Sequence, residues 1–367
     1  MAGGRHRGTA RNYGVAMSTE WPWAGEFEPE GPYLNSATMG LPPRATLAAM
    51  ATAMDEWRRG IAFAPGYDAD VAAARGAYAR LVGVEADTVA IGSQVSPLVA
   101  LVAAAVPDGA TVLVPEGEFT SVTFPFLAQE ARGIRVVEAP LAEIAEHVDG
   151  STGLVALAAA QSSDGAVAPL DALEAAAARH GVDVLLDVTQ AAGWLPVDAG
   201  RFAYTVCAAY KWLLSPRGTA FLTVRRDRWD TLVPAAAGWY AGELPWSSIY
   251  GTPLRLASDA RRYDVSPGWH AWVGTASSLD LLERVGVEVL HAHALSVEAV
   301  FAEAAGLEPA GRAIRAVSAD AAVPGLLDRH GIVAAERAGR LRVSFHVNNT
   351  EDEAARVGAL LRGHVSG

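Results

Sequence analysis

Short apolar runs alternate with segments of helical periodicity over most of the chain. The apolar runs predict buried strands at 87–91, 111–115, 134–139, 154–160, 182–187, 204–208 and 219–224. Helical spacing of apolar positions predicts helices over 44–59, 69–81 and 170–180, and an apolar helix that ends near Val106. Because strands and helices alternate in this order, the pattern predicts an α/β fold with a largely parallel sheet covered on both faces.

Beyond about residue 235 this alternation loosens into a stretch rich in aromatic and turn residues, and a helical pattern returns over 271–285. The remaining residues predict a smaller α/β unit. We therefore expect a disordered extension at 1–20, an N-terminal segment at 21–45 that packs near the functional site, a large domain at 46–270 and a small C-terminal domain at 271–367.

Composition and charge narrow the function classes. The 367 residues carry a formal net charge of −12 and a sequence pI near 5.2, which suits a cytoplasmic protein and argues against nucleic acid as a partner. The single cysteine, Cys207, excludes an intrachain disulfide framework and a multi-cysteine metal site. The apolar runs are short or interrupted and no secretory signal is recognisable, so we expect neither a membrane partner nor a bound metal.

The candidate chemistry centres on residues 185–222. Asp187 ends a buried-looking strand, and Lys211 follows within a second segment of alanines, aromatics and leucines. Burial of an isolated ammonium lowers its pKa and costs stability. A lysine in such surroundings is therefore expected to have a chemical role, typically as a nucleophile toward a carbonyl. The alternative interpretation is a core aspartate at a strand end with a lysine that reaches solvent.

In pyridoxal phosphate (PLP) enzymes, a lysine amine forms an imine with the cofactor aldehyde, and an acid beside the pyridine nitrogen keeps the ring protonated. With Asp187 and Lys211 in these positions, the stretch resembles the class V aminotransferase group of fold-type I PLP enzymes, which includes cysteine desulfurases, kynureninases, isopenicillin N epimerases and some C–S lyases. The resemblance implies a mainly parallel seven-stranded large domain, a smaller C-terminal α/β domain, PLP as cofactor and catalytic roles for both residues. It also implies a homodimer with shared active sites.

Several turn residues become cofactor-binding candidates. Ser93 and Gln94 stand between a strand and a helix N-terminus, where free N–H groups and the helix dipole favour a phosphate, although such residues are also ordinary helix caps. The resemblance implies that Phe119 stacks on the cofactor, with core packing as its alternative role. It also implies that Gln161 bonds near the cofactor ring and that Gln190 contacts its phenolic oxygen. These positions follow the ends of predicted strands, where parallel sheets bind ligands.

The resemblance adds a tyrosine and a second set of phosphate contacts. Tyr210, directly before the lysine, matches a position whose hydroxyl reaches the phosphate, while Ala209 replaces the family's serine donor. Ser266 and Trp269 lie in the segment with which related enzymes complete the phosphate site of the neighbouring subunit. The tryptophan equally suits a plain dimer interface.

The substrate-side candidates are Arg342, Asn35 and Thr38. Arg342 lies in a segment that resembles the family's Arg-x-Ser…Asn-Thr-x-Glu-Asp signature, in which the arginine grips the substrate α-carboxylate through parallel N–H bonds. A solvent-facing arginine on a strand is the alternative. Asn35 and Thr38 belong to a turn-rich segment that reaches the active site in the family, and ordinary turn residues fit it as well. Thr350, which follows Asn349, predicts the cap of the last helix.

Missing sequence features argue against some of the reactions known in the family. A cysteine desulfurase needs a nucleophilic cysteine on a mobile C-terminal loop, whereas Cys207 lies in a predicted buried strand, so we do not expect that activity. We expect a PLP-dependent lyase that cleaves the C–S bond of a cysteine conjugate by β-elimination. Transamination, epimerisation and kynureninase-like cleavage remain alternatives, as does a PLP-binding protein without catalysis. A nicotinamide-dependent dehydrogenase is disfavoured because the turn at 92–96 has too few glycines.

Overall fold

The computed structural model describes residues 21–367, so the disordered extension expected at 1–20 lies outside the described residues. The large sheet has seven strands, β1 to β7 in chain order. Their bounds are Val89–Gly92, Thr111–Pro115, Arg135–Ala139, Thr152–Ala158, Asp183–Asp187, Tyr204–Ala208 and Ala220–Val224. All the strands predicted for this sheet are confirmed to within about two residues at each end.

The strands lie in the order β1-β7-β6-β5-β4-β2-β3. The neighbours from β3 to β6 are parallel, whereas β7 runs antiparallel to both β1 and β6. The expected, largely parallel sheet is therefore confirmed, with β7 as the exception. Its reversal follows from the connection 209–219, which is shorter than the roughly dozen residues that a parallel crossover needs. This tight connection carries Lys211.

Helices cover both faces of the sheet. In chain order, α1 to α6 are Arg44–Arg58, Asp68–Leu81, Val95–Ala105, Thr120–Leu127, Leu170–His180 and Trp269–Val285. Successive strand residues point to opposite faces, so Leu186 packs with residues of α2 and α6 while Leu185 packs with residues of α3 and α4. Cys207 is fully buried in the first of these clusters, as predicted. Cover on both faces explains why the strands appear as continuous apolar runs in the sequence.

A second, four-stranded sheet follows the large one. Its strands are antiparallel in the order β11-β8-β10-β9. The elements of this part are α7 (Val287–Ala305), β8 (Ile314–Ala319), α8 (Val323–Arg329), β9 (Ala335–Arg337), β10 (Arg340–Ser344), α9 (Glu351–Leu361) and β11 (Val365–Ser366). Thr350 caps α9 in a capping box with Glu353, which confirms its predicted structural role. The smaller α/β unit expected from the sequence is therefore present.

The segment before α1 packs against both parts of the chain. The Trp21 ring stacks on that of His293 in α7, with centroids 3.6 Å apart. Nearer the large sheet, the N–H of Gly40 donates to the carbonyl of Tyr210 at 2.9 Å. These contacts place residues 21–43 beside the loop that holds Lys211. The expected domain boundaries stay predictions.

Within residues 21–367, no single helix is both long and apolar enough to cross a membrane. The consecutive helices α6 and α7 satisfy length and composition only when taken together, and they are bent by 80° where they meet. Both contribute buried side chains to the core. The same described residues contain no group of three or more side chains suited to hold a metal ion.

Candidate functional site

A cavity that is partly open to solvent lies at the carboxyl ends of β4, β5 and β6. Ligands of open α/β sheets bind at this edge because the strand ends deliver their loops to one place. Many of the residues predicted from the sequence line this one cavity: Ser93, Gln94, Phe119, Asp187, Gln190, Tyr210 and Lys211. Segments far apart in the chain therefore meet around one site.

Lys211 lies on the connection between β6 and β7 and is only 7% exposed. Burial lowers the pKa of its amine to about 8, the Asp187 carboxylate opposes this shift, and the guanidinium of Arg342 adds to it. Its Nζ lies 5.4 Å from the centroid of the Phe119 ring and 5.7 Å from that of Tyr210. The amine is therefore a nucleophile at a lower pH than a solvent-exposed lysine.

Asp187 ends β5 in the same cavity, and its exposure is 5%. Its Oδ1 accepts a hydrogen bond from the N–H of Thr189 at 2.8 Å. Burial raises the pKa of the Asp187 carboxyl, while hydrogen bonding by Thr189 and the charge of Lys211 lower it. A buried acid in this position is stabilised by a cationic group that enters the cavity.

The N-terminus of α3 forms another wall of the cavity through Ser93, Gln94 and Ser96. Gln94 is the N-cap residue and its side chain makes no capping hydrogen bond, which leaves the first N–H groups of the helix for a ligand. Arg217, which was not among the sequence-based candidates, also lines the cavity, and its guanidinium carbon lies 4.9 Å from the Tyr210 ring centroid. A helix N-terminus with an arginine beside it is chemically suited to a phosphate.

Glu118 is a second residue that the sequence did not single out. Its carboxylate accepts hydrogen bonds from the N–H of Phe119 at 2.7 Å, the N–H of Ala158 at 2.8 Å and Nε2 of Gln161 at 2.9 Å. Burial raises the pKa of Glu118, and these donors lower it. Glu118 therefore positions Phe119, which lines the cavity, and Gln161, whose side chain turns to Glu118 instead of lining it. The acid directly before the aromatic residue was the only signal in the sequence.

Gln190 lines the cavity, but its amide already has two protein partners. Nε2 donates to the carbonyl of Ala37 at 2.9 Å, and Oε1 accepts from Nε1 of Trp212 at 2.7 Å. The side chain therefore holds the N-terminal segment against the loop that carries Lys211. Its contact with a cofactor oxygen stays a prediction.

Arg342 lies on β10 and is only 2% exposed, so the solvent-facing alternative is wrong. Its Nη1 donates to the carbonyl of Ser162, which lines the cavity, and its Nη2 donates to Oγ1 of Thr38 at 2.6 Å. Burial and the neighbouring Arg337 lower the pKa of Arg342 to about 10. The backbone carbonyl of Asn35 accepts a hydrogen bond from the N–H of Thr38. The side-chain Oδ1 of Asn35 is buried without a hydrogen-bond partner among the described residues.

Ser266 and Trp269 lie outside the cavity of their own chain. Ser266 is exposed, and the Trp269 ring stacks on Tyr67 with centroids 5.8 Å apart. A buried ion pair between Arg75 and Asp264, with an N–O distance of 2.6 Å, fixes the start of this segment. The role of Ser266 and Trp269 toward a neighbouring subunit stays a prediction.

The groups in the cavity fit a pyridine aldehyde that carries a phosphate. Lys211 supplies an amine with a lowered pKa, Asp187 a buried carboxylate for a ring nitrogen, and Phe119 an aromatic face for a flat ring. The N-terminus of α3 and Arg217 suit the phosphate. PLP combines an aldehyde, a ring nitrogen, a flat ring and a phosphate in one molecule.

Comparison with known proteins gives the same result. The family model described as aminotransferase class-V matches residues 63–308. An uncharacterized aminotransferase of Bacillus subtilis (strain 168) is 28% identical over 302 residues, which span 76% of this chain and 80% of that protein. Isopenicillin N epimerase of Streptomyces clavuligerus is 28% identical over 245 residues, or 60% of each chain. Kynureninases and a probable cysteine desulfurase are also similar.

The fold is shared with a cystine C–S lyase solved in complex with its reaction product, cysteine persulfide. The TM-score is 0.81 at 22% sequence identity, and the match covers 91% of this chain and 98% of that one. Cysteine desulfurases have the same fold, which at such low identity says nothing of the reaction. The family match spans most of the chain, including Asp187 and Lys211, and confirms the resemblance predicted from the sequence. The protein therefore belongs to the aminotransferase class-V family, and its cofactor is PLP.

Proposed function

We propose that this class-V PLP enzyme is a lyase that cleaves the C–S bond of a cysteine conjugate by β-elimination. One observation favours this choice over the cysteine desulfurases of the family. Cys207, the single cysteine of the sequence, is fully buried, and burial raises the pKa of its thiol well above the ordinary value. A thiol held protonated in the core does not accept sulfur from a substrate, so the sulfur leaves with a small-molecule product instead of as a persulfide on this chain.

In this proposal, three side chains bind and orient the reactants. Arg342 holds the substrate α-carboxylate through the N–H groups that its bonds to Ser162 and Thr38 leave free. Asp187 would supply the carboxylate for the ring nitrogen of bound PLP, and Phe119 would supply an aromatic face for its ring. PLP, when bound, withdraws electrons from the substrate Cα.

In the proposed reaction, Lys211 acts as both general base and general acid. Its free Nζ removes the proton from the substrate Cα, the Cβ–S bond breaks, and the thiol leaves with a proton from the same ammonium. Overall, RS–CH2–CH(NH3+)–COO− and water are converted to RSH, pyruvate and NH4+. The lowered pKa of the amine suits both proton transfers near neutral pH.

Product analysis tests the proposed reaction. Incubation of the holoenzyme with S-substituted cysteines is expected to release thiol, pyruvate and ammonium in equal amounts, measured by a thiol reagent and by coupled assays. The Lys211→Ala variant is the control, because it measures the background thiol release that does not depend on the active site. Conversion of the cofactor to its pyridoxamine form, with a keto acid that still contains the sulfur, would contradict the proposal.

Transamination and epimerisation are the other candidate functions. Each is supported by one of the relatives, the Bacillus aminotransferase and the Streptomyces epimerase. Both reactions begin with the same proton transfer at Cα, but they leave the Cβ–S bond intact. The release of thiol therefore separates them from the proposed reaction.

The lowered pKa of Lys211 predicts a pH profile for cofactor capture by the apoprotein. For a pKa of about 8, the neutral, nucleophilic fraction rises from about a tenth at pH 7 to about nine tenths at pH 9. We expect the capture rate, followed by absorption, to rise about tenfold over this range and then to level off. Nα-acetyl-lysine amide is the matched control, because its rate keeps rising toward its own pKa of about 10.4. A capture rate of the apoprotein that keeps rising with pH like that of the free amine would contradict the lowered pKa of Lys211.

The proposal includes a cytoplasmic homodimer in which each subunit completes the site of the other. Large apolar side chains on and just after α1 are between 46% and 71% exposed: Leu47, Met54, Trp57, Ile61 and Phe63. Several exposed apolar side chains within one short segment support an interface with another chain. Ser266 is exposed outside the cavity of its own chain, as a residue that serves a neighbouring subunit must be.

A further inference from the structure

Two arginines of the β9–β10 hairpin converge on one hydroxyl. Nη2 of Arg342 donates to Oγ1 of Thr38 at 2.6 Å, and Nη2 of Arg337 donates to the same oxygen at 3.3 Å. The hairpin turns through Ala338 and Gly339, whose φ angles are 49° and 72°, the geometry of a tight two-residue turn. A short, paired hairpin therefore places Arg337 beside the residue proposed to bind the α-carboxylate.

Among the described residues, the hydrogen bonds of these two guanidinium groups go to neutral oxygens. Besides the shared hydroxyl, Arg342 bonds the carbonyl of Ser162, and Arg337 bonds the carbonyl of Glu336. The two like charges repel each other without a carboxylate between them. One α-carboxylate balances one guanidinium and leaves the other without a counterion.

Both arginines are electrostatically linked to the reacting centre, because each lowers the pKa of the Lys211 amine. Their depths differ. Arg342 is buried at 2% exposure, whereas Arg337 is exposed. The deeper guanidinium suits the carboxylate next to Cα, and the outer one suits a group farther along the substrate side chain.

We infer that the substrate side chain carries a second carboxylate and that Arg337 binds it. This inference rests on the proposed function, in which Arg342 holds the α-carboxylate. It narrows the substrate class to S-substituted cysteines with an acidic substituent. A guanidinium suits this role because it binds a carboxylate through two parallel N–H bonds, which fix orientation as well as charge.

Matched substrates isolate the charge of the substrate side chain. S-carboxymethylcysteine and its side-chain amide, S-carbamoylmethylcysteine, have nearly the same shape and differ by one negative charge. We expect kcat/KM to be about tenfold higher for the acid, and we expect Arg337→Gln to bring this ratio to about one. Arg340→Gln is the control, because Arg340 lies in the same hairpin and donates to the carbonyl of Ala316. It is expected to keep the preference for the acid.

A binding measurement separates this inference from the proposed reaction. Glutarate and valerate have the same number of carbons and differ by one carboxylate, and neither reacts. Calorimetric titration of the holoenzyme is expected to show about tenfold tighter binding of glutarate in the parent protein and in Arg340→Gln, and equal binding in Arg337→Gln. Equal binding to the parent protein would overturn the inference, whether or not thiol is released from cysteine conjugates. A glutarate preference that depends on Arg337, without any thiol release, would support the inference and overturn only the lyase proposal.

Discussion

Lys211→Ala is expected to lose covalent cofactor binding and to lower turnover by about 10³-fold or more. Lys211 is the only lysine in the sequence, so no other ε-amine replaces it. In the proposed reaction this buried amine both captures the cofactor aldehyde and removes the Cα proton, and the loss of a positioned acid–base group alone costs roughly 10²–10⁴-fold. Absorption spectra and product release measure the two losses separately.

Chemical trapping gives the sharpest readout of this variant. Borohydride adds hydride to the carbon–nitrogen double bond between a lysine and the cofactor, and mass spectrometry of the peptides then locates the permanent link. The adduct is expected on the peptide that contains Lys211 in the parent protein and on no peptide in Lys211→Ala. Lys211→Arg is the matched control, because it keeps the positive charge and removes the nucleophile. An adduct that persists in either variant would contradict the role of Lys211.

Asp187→Asn is expected to retain the covalent cofactor and to lower turnover by about 10²-fold or more. The amide has nearly the shape of the carboxylate, but it does not balance a positive charge on the ring nitrogen, so the bound ring withdraws electrons less strongly. Removal of one oriented polar group from an active site typically costs on the order of 10²–10³-fold. With Asp187 only 5% exposed, water does not compensate for the lost charge.

Asp183→Asn is the control for this experiment. Asp183 begins β5 at the end opposite to Asp187, where its carboxylate pairs with Arg228 at 2.8 Å. Because that pair is partly exposed, the substitution is expected to leave turnover unchanged and to cost at most about 1 kcal/mol of stability in a thermal melt. Full turnover in Asp187→Asn, or an equal loss in both variants, would contradict a specific role for Asp187.

The large sheet was predictable because strands buried on both faces leave continuous apolar runs in the sequence. Two of the predicted strands, β2 and β6, have the bounds that the structure shows. The direction of β7 was not predictable from its residues, because an apolar run has no preferred direction. The short connection 209–219 determines that direction by ruling out a crossover.

The centre of the site was predictable, but the residues that support it were not. Asp187 and Lys211 stand out because a charge within an apolar segment is costly and therefore informative. Glu118 belongs to a turn that resembles any exposed acidic turn, and only the fold brings the N–H of Ala158 and the amide of Gln161 to its carboxylate. The partners of such a residue come from other strand ends, which its own segment does not indicate.

By itself, the sequence determined the order of strands and helices, the family resemblance and the two charged residues at the centre of the site. Each of these depends on the local order of side chains or on one residue in apolar surroundings. Only the tertiary structure decided which charges share a site. Thr38 and Arg342 are 304 positions apart, yet the Thr38 hydroxyl accepts hydrogen bonds from both Arg342 and Arg337. Contacts of this kind arise from the packing of separate segments, and the side-chain pattern of one segment contains no information about the others.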